Sequence, residues 1–104
     1  MITIYICDSF SLSMLDRSKQ AKSVFRRIPM PIDDPIEEIE EIAQSNEIEI
    51  VSAIDDVDKA ALFSKVLGMN ILADGNSVLL HPNAVAIIGT TTLPDDAIIR
   101  WWLV

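Results

Sequence analysis

The run Ile2-Thr3-Ile4-Tyr5-Ile6-Cys7 is β-branched or apolar throughout and passes straight into the polar pair Asp8-Ser9. That pattern predicts a buried strand ending in a turn. Phe10, Met14 and Leu15 then fall at helical spacing behind Asp8 or Ser9, which suits a capped helix of one or two turns. Residues 21–28 read as a strand, with Val24 and Arg26 on one face, Phe25 and Arg27 on the other, and Pro29 and Pro31 ending it. Asp33-Asp34-Pro35 is a helix opening, because carboxylates cap free amides and proline suits the first helical position. Ile36, Ile39, Ile42 and Ala43 form the buried stripe of that helix, and Glu37, Glu38, Glu40 and Glu41 form its wet face.

From Glu47 to Ile54 strict alternation gives way to a continuous apolar run, the mark of a strand passing from an exposed margin into the interior. Asp55, Asp56 and Asp58 precede a helix over 57–67, and Gly68 stops it, since a left-handed terminal residue costs glycine least. Beyond it the pattern predicts short strands at 69–73 and 77–81, turns at Asp74-Gly75-Asn76 and Pro82-Asn83, and strands at 84–92 and 98–104. No internal repeat or long linker breaks the chain, so one domain over 1–104 is expected. The fold class is α/β in the mixed α+β sense. Two main helices pack on a mixed sheet of five to seven strands, parallel where strands alternate with helices and antiparallel after Gly68.

Composition narrows the function classes. Half of the 104 residues are apolar and the formal charge is −8, which describes a small acidic domain whose modest core leaves a role for a partner subunit. The charge is concentrated. Residues 1–30 carry five Lys/Arg against two Asp, whereas residues 31–60 carry eleven carboxylates against Lys59 alone. Such a balance argues against direct duplex nucleic-acid binding, which depends on Lys and Arg displacing counterions. Glu37, Glu38, Glu40 and Glu41 are either a solvated helix face or an acidic surface that docks on a basic, nucleic-acid-binding partner. No stretch approaches the roughly 18 apolar residues of a membrane span, so a cytoplasmic protein without membrane contact is expected.

Glycine-rich phosphate loops, nucleophile elbows and paired helical histidines are absent, and no cofactor is implied. His81, the one histidine, suits a turn cap at a strand end better than a general acid. Asp55, Asp56 and Asp58 are explained by capping and the helix dipole more simply than by a metal ion, and Cys7 reads as core. Trp101 and Trp102 point to opposite faces of a terminal strand. The outward ring either anchors an interface or is covered by a helix.

Several segments, taken in order, resemble the viral ring nucleases, the type III anti-CRISPR family that cleaves cyclic tetra-adenylate. Asp8-Ser9-Phe10-Ser11-Leu12-Ser13-Met14-Leu15 is similar to the family's N-[AS]-F-S-x-x-M-L after the first strand. Val24-Phe25-Arg26-Arg27-Ile28 is similar to its basic second strand, and Ser52-Ala53-Ile54-Asp55-Asp56-Val57-Asp58-Lys59-Ala60 through Leu67-Gly68 to its S-A-[IV]-G-H-x-x-T-A…L-G stretch. Thr92-Leu93-Pro94-Asp95-Asp96 resembles its R-L-P-E-G turn. The resemblance implies a two-fold homodimer with a ligand pocket across the interface.

The catalytic pattern departs from the family. Its proton-donating histidine falls on Asp56, the preceding glycine on Asp55, the turn arginine on Thr92 and a second arginine near Ser77. Ser11 matches outright and Asp95 is a shortened glutamate. An aspartate of ordinary pKa is ionised near neutrality and has no proton to give a leaving ribose oxygen. The expectation is therefore a binding protein on the ring-nuclease fold, an anti-CRISPR that docks on a basic CRISPR effector surface through Glu37, Glu38, Glu40, Glu41, Trp101 and Trp102. The other reading is a diverged protein that binds or cleaves cyclic oligoadenylate without metal. There Ser11, Arg26, Arg27 and Thr92 would hold the ligand, and Ser11, Asp56 and Asp95 would be the candidates for catalysis.

Overall fold

A computed structural model describes residues 1–9, 29–91 and 99–104. In chain order the elements are β1 (Ile2–Cys7), β2 (Met30–Ile32), α1 (Pro35–Ser45), β3 (Ile48–Ser52), α2 (Val57–Leu67), β4 (Ala84–Thr91) and β5 (Ile99–Leu103). Among the described residues they form the expected α/β fold, one five-stranded mixed sheet in the order β2-β5-β4-β1-β3. β1 lies parallel to both β3 and β4, and β5 is antiparallel to β4 and to β2.

Local chemistry sets the helix limits. Asp34 caps α1, its carboxylate accepting from the amides of Ile36 at 3.0 Å and Glu37 at 3.2 Å, with Pro35 following at the first position. Asp56 caps α2 by accepting from the Asp58 amide at 3.1 Å, and Gly68 closes it in the left-handed region at φ 66°. The α1 stripe is narrower than the pattern predicts. Ile39 is buried and Ile42 partly so, but Ile36 and Ala43 are exposed, and Pro35 is the other buried residue of the helix.

Both helices cover one face of the sheet. Ile39 of α1 and Ala60, Phe63 and Leu67 of α2 pack on Ile4, Ile6, Ile87 and Trp101. The opposite face carries Cys7, Ala84, Ala86, Ile88 and Val104, with Leu80 packed among them and Val78 and Trp102 beside them.

Two expectations are corrected. The stretches 69–73 and 77–81 do not form strands; Leu80 makes an isolated bridge, and Ile71 and Leu72 are held by side chains. The Ser52 hydroxyl donates to the Leu72 carbonyl at 2.5 Å, and Ser64 accepts from the Ile71 amide at 2.9 Å. A backbone satisfied by serines from β3 and α2 has no need of a ladder. Pro31 also does not end a strand but sits in the middle of β2. Ala86 and Val104 exchange both backbone bonds, so alternation along β4, β5 and β2 turns the backbone of Pro31 away from β5, onto the outer edge. Proline is tolerated there because no ladder amide is lost. The strand expected at 21–28 and the short helix after Ser9 lie outside the described residues.

Candidate functional site

The carboxyl ends of β1 and β3 open onto a cleft of about 360 Å³ lined by Cys7, Asp8, Ser9, Ala53, Asn76, Ser77 and Val78. Ligand sites of open α/β sheets favour this end of the strands. Three chain segments meet here. β1 delivers Asp8 and Ser9 as it runs out of pairing, β3 delivers Ala53, and the segment after α2 folds back with Asn76 and Ser77.

The returning segment is tied to the end of β3 by main chain. Gly75 donates to the Ile54 carbonyl at 3.0 Å, while Asn76 donates to the Ser52 carbonyl from its amide at 3.2 Å and from Nδ2 at 2.9 Å. Gly75 has φ 59°, and a β-carbon on it would lie 3.1 Å from Cβ of Asp55. Both the turn and the close approach therefore require glycine.

The electrostatics are acidic. Lys59, one turn into α2, reaches Asp8 at 3.6 Å and joins the start of that helix to the rim of the cleft. Asp55, Asp56 and Asp58 stand exposed at the same helix end, where Lys59 is already paired with Asp8. Burial, reinforced by the neighbouring Asp8 charge, pushes the Cys7 thiol up to about 12, so the floor of the cleft is a neutral thiol rather than a nucleophile. Among the described residues no group of three or more His, Cys, Asp or Glu side chains is arranged to hold a metal ion.

The positions singled out in the sequence are dispersed. Ser77 lines the cleft and Asp56 caps the helix beside it, whereas Ser11, Arg26, Arg27, Thr92 and Asp95 lie outside the described residues. Glu37, Glu40 and Glu41 are exposed and Glu38 is half-buried on α1. Trp101 is 7% exposed beneath α2, tilted against Phe63 with ring centroids 5.3 Å apart. Trp102 keeps partial exposure on the other face, where an apolar hollow is lined by Pro29, Ile88, Thr90 and Trp102. His81 caps its turn, its Nδ1 accepting from the Asn83 amide at 3.2 Å.

Sequence reasoning missed Asn76 and the Lys59–Asp8 pair. Asn76 read as a turn residue, and nothing in the chain links positions 8 and 59. A signal for Ser52 was present, since it breaks the apolar face begun by Ile48 and Ile50.

No protein-family model matches the chain, and no curated protein matches it. Among solved structures it is similar to B116 of Sulfolobus turreted icosahedral virus, a viral protein, with a TM-score of 0.67 at 12% identity over 97% of each chain. That likeness establishes a shared fold. No helix among the described residues is long and apolar enough to cross a membrane.

Proposed function

We propose that this protein is a non-catalytic binding protein, of viral or mobile-element origin, whose acidic surface docks on a basic surface of a partner such as a CRISPR effector. The observation that carries this reading is the charge at the cleft. Asp8 lines the cleft, Asp55, Asp56 and Asp58 stand exposed at the start of α2 that follows β3, and Lys59 is committed to Asp8. A polyanionic ligand placed there meets like charge, which costs binding energy, whereas a Lys/Arg surface meets its complement. The fold shared with a viral protein supports the origin, and a small core supports a homodimer.

A second reading is favoured by the polar lining of the cleft. Ser9, Asn76 and Ser77 can offer hydroxyl and amide donors to a cyclic oligoadenylate.

Purified CRISPR effector complexes, mixed with the protein at low and raised salt, test the first reading, and calorimetry with cyclic tetra-adenylate, with and without magnesium or manganese, tests the second. Salt-sensitive association with an effector and no heat from the nucleotide are expected. Nucleotide binding without effector association would overturn the proposal in favour of the second reading.

A further inference from the structure

We propose that the outer edge of β3 receives an extended basic segment of a partner protein, which joins the sheet as an added antiparallel strand beside Ile48 and Ile50. The inference rests on the acidic-docking reading and names its mode.

Among the described residues, β3 is the last strand of the sheet and pairs only with β1. The Ile2 amide donates to the Glu47 carbonyl and the Ala53 amide to the Ile6 carbonyl, so the odd-numbered residues of β3 face β1 and the even-numbered ones face outward. Two of these outward positions are already used, for the carbonyls of Ser52 and Ile54 accept from Asn76 and Gly75. Ile48 and Ile50 remain, each with an amide and a carbonyl on the open edge. A groove of about 290 Å³ runs beside Ile50, lined by Ile50, Ser52, Met69, Asn70, Ile71, Leu72 and Asp74.

The side chains specify what fits. Ile48 and Ile50 point to the helix face, where Met69 also packs and Leu72 is 51% exposed. Glu49, in register with Thr3, points to the opposite face, and Glu47 shares its parity; both are exposed. Side chains of an added strand alternate in step with those of its neighbour. The incoming segment therefore needs apolar residues beside Ile48 and Ile50 and Lys or Arg beside Glu47 and Glu49. Strand addition of this kind draws affinity from main-chain bonds and specificity from alternate side chains.

The same glutamates disfavour a second copy of this chain. Pairing β3 with β3 would bring together two segments that each carry eleven carboxylates against one lysine over residues 31–60. Charge on an edge strand is a known guard against self-pairing, and here the guard also selects the opposite charge.

The probe is the peptide acetyl-(Lys-Val)4-amide, compared with the same peptide N-methylated at its valines, whose backbone would face β3 in antiparallel pairing. Affinity is measured by calorimetry at low salt and amide exchange by NMR. The unmethylated peptide is expected to slow exchange at Ile48 and Ile50 at least tenfold, and methylation to weaken binding at least tenfold. The double variant Glu47→Lys/Glu49→Lys, altered only at exposed side chains, should lose the peptide and accept (Glu-Val)4 instead. Equal binding of both lysine peptides, with protection elsewhere on the acidic surface, overturns strand addition and leaves acidic docking standing. Absence of binding by either peptide overturns both. Protection of Ile48 and Ile50 in the free protein together with a dimeric mass also overturns the proposal, because a second copy then fills the edge.

Discussion

Trp101 lies directly over Gly89: a β-carbon on that glycine would come 2.7 Å from Cζ3 of Trp101 and 2.8 Å from Cζ of Phe63. The two residues are register partners on β4 and β5, so the ring fills the space that the missing side chain leaves. Gly89→Ala should therefore destabilise the fold by about 1–3 kcal/mol through overpacking. Urea denaturation checks this, with the midpoint lowered and the slope unchanged. Adding Trp101→Phe should recover part of the loss, since residues in contact do not behave additively.

Ser52 holds the segment after α2 to the sheet. Its hydroxyl donates to Leu72 and accepts from the Ile54 amide at 3.3 Å, and the residue is 8% exposed. Ser52→Ala should cost about 1–2 kcal/mol, because two backbone groups lose their partner. Amide exchange provides the sharper check: residues 71–76 should exchange faster while α1 is unaffected.

Asp56 combines a cap with a charge, and two substitutions separate them. Asparagine caps a helix about as well as aspartate, so Asp56→Asn should leave stability within a few tenths of a kcal/mol, whereas Asp56→Ala should lose about 1 kcal/mol. Thermal unfolding compares the two. If both lose equally, the carboxylate charge rather than the cap holds the start of α2.

Cys7 gives the fold an alkaline limit. Its thiol titrates near 9.0 in an unfolded chain and about 12 when folded, so the unfolded state releases its proton first as pH rises. The stability it contributes is complete below pH 9 and falls until about pH 12. Chemical denaturation between these limits should show a steeper decline for the natural chain than for Cys7→Ala. Below pH 8 the thiol should react slowly with iodoacetamide in the folded protein.

The parts of the fold that the sequence made legible are those where one local cause dominates. α2 runs from its aspartate cap to its glycine stop because each end is decided by a single residue, Asp56 or Gly68. β1 is legible because an unbroken apolar run of that length must be buried. Residues 69–73 and 77–81 were misread for a physical reason. Their short apolar runs look like strands, but Ile71 and Leu72 are bonded by the hydroxyls of Ser64 and Ser52, and side-chain partners leave no period to detect. β2 was hidden by Pro31, whose meaning depends on whether its strand lies at an edge. At the candidate site, the capping role of Asp56 followed from its position before an apolar helix. The cleft did not, because Asp8, Asn76 and Lys59 meet only through the crossing of three segments.

The outward-turned Pro31 bears on how copies of this protein can gather. Edge-to-edge growth of sheets into fibres needs two competent margins on every unit, and β2 offers no amide at its outer margin. The β3 margin is guarded only by charge, and that guard weakens as salt shortens the reach of the glutamates to about 3 Å at 1 M. Concentrated brine should therefore join these sheets two by two, edge to edge, and no further, because sheets joined through β3 have spent that margin and β2 offers no amide to the next.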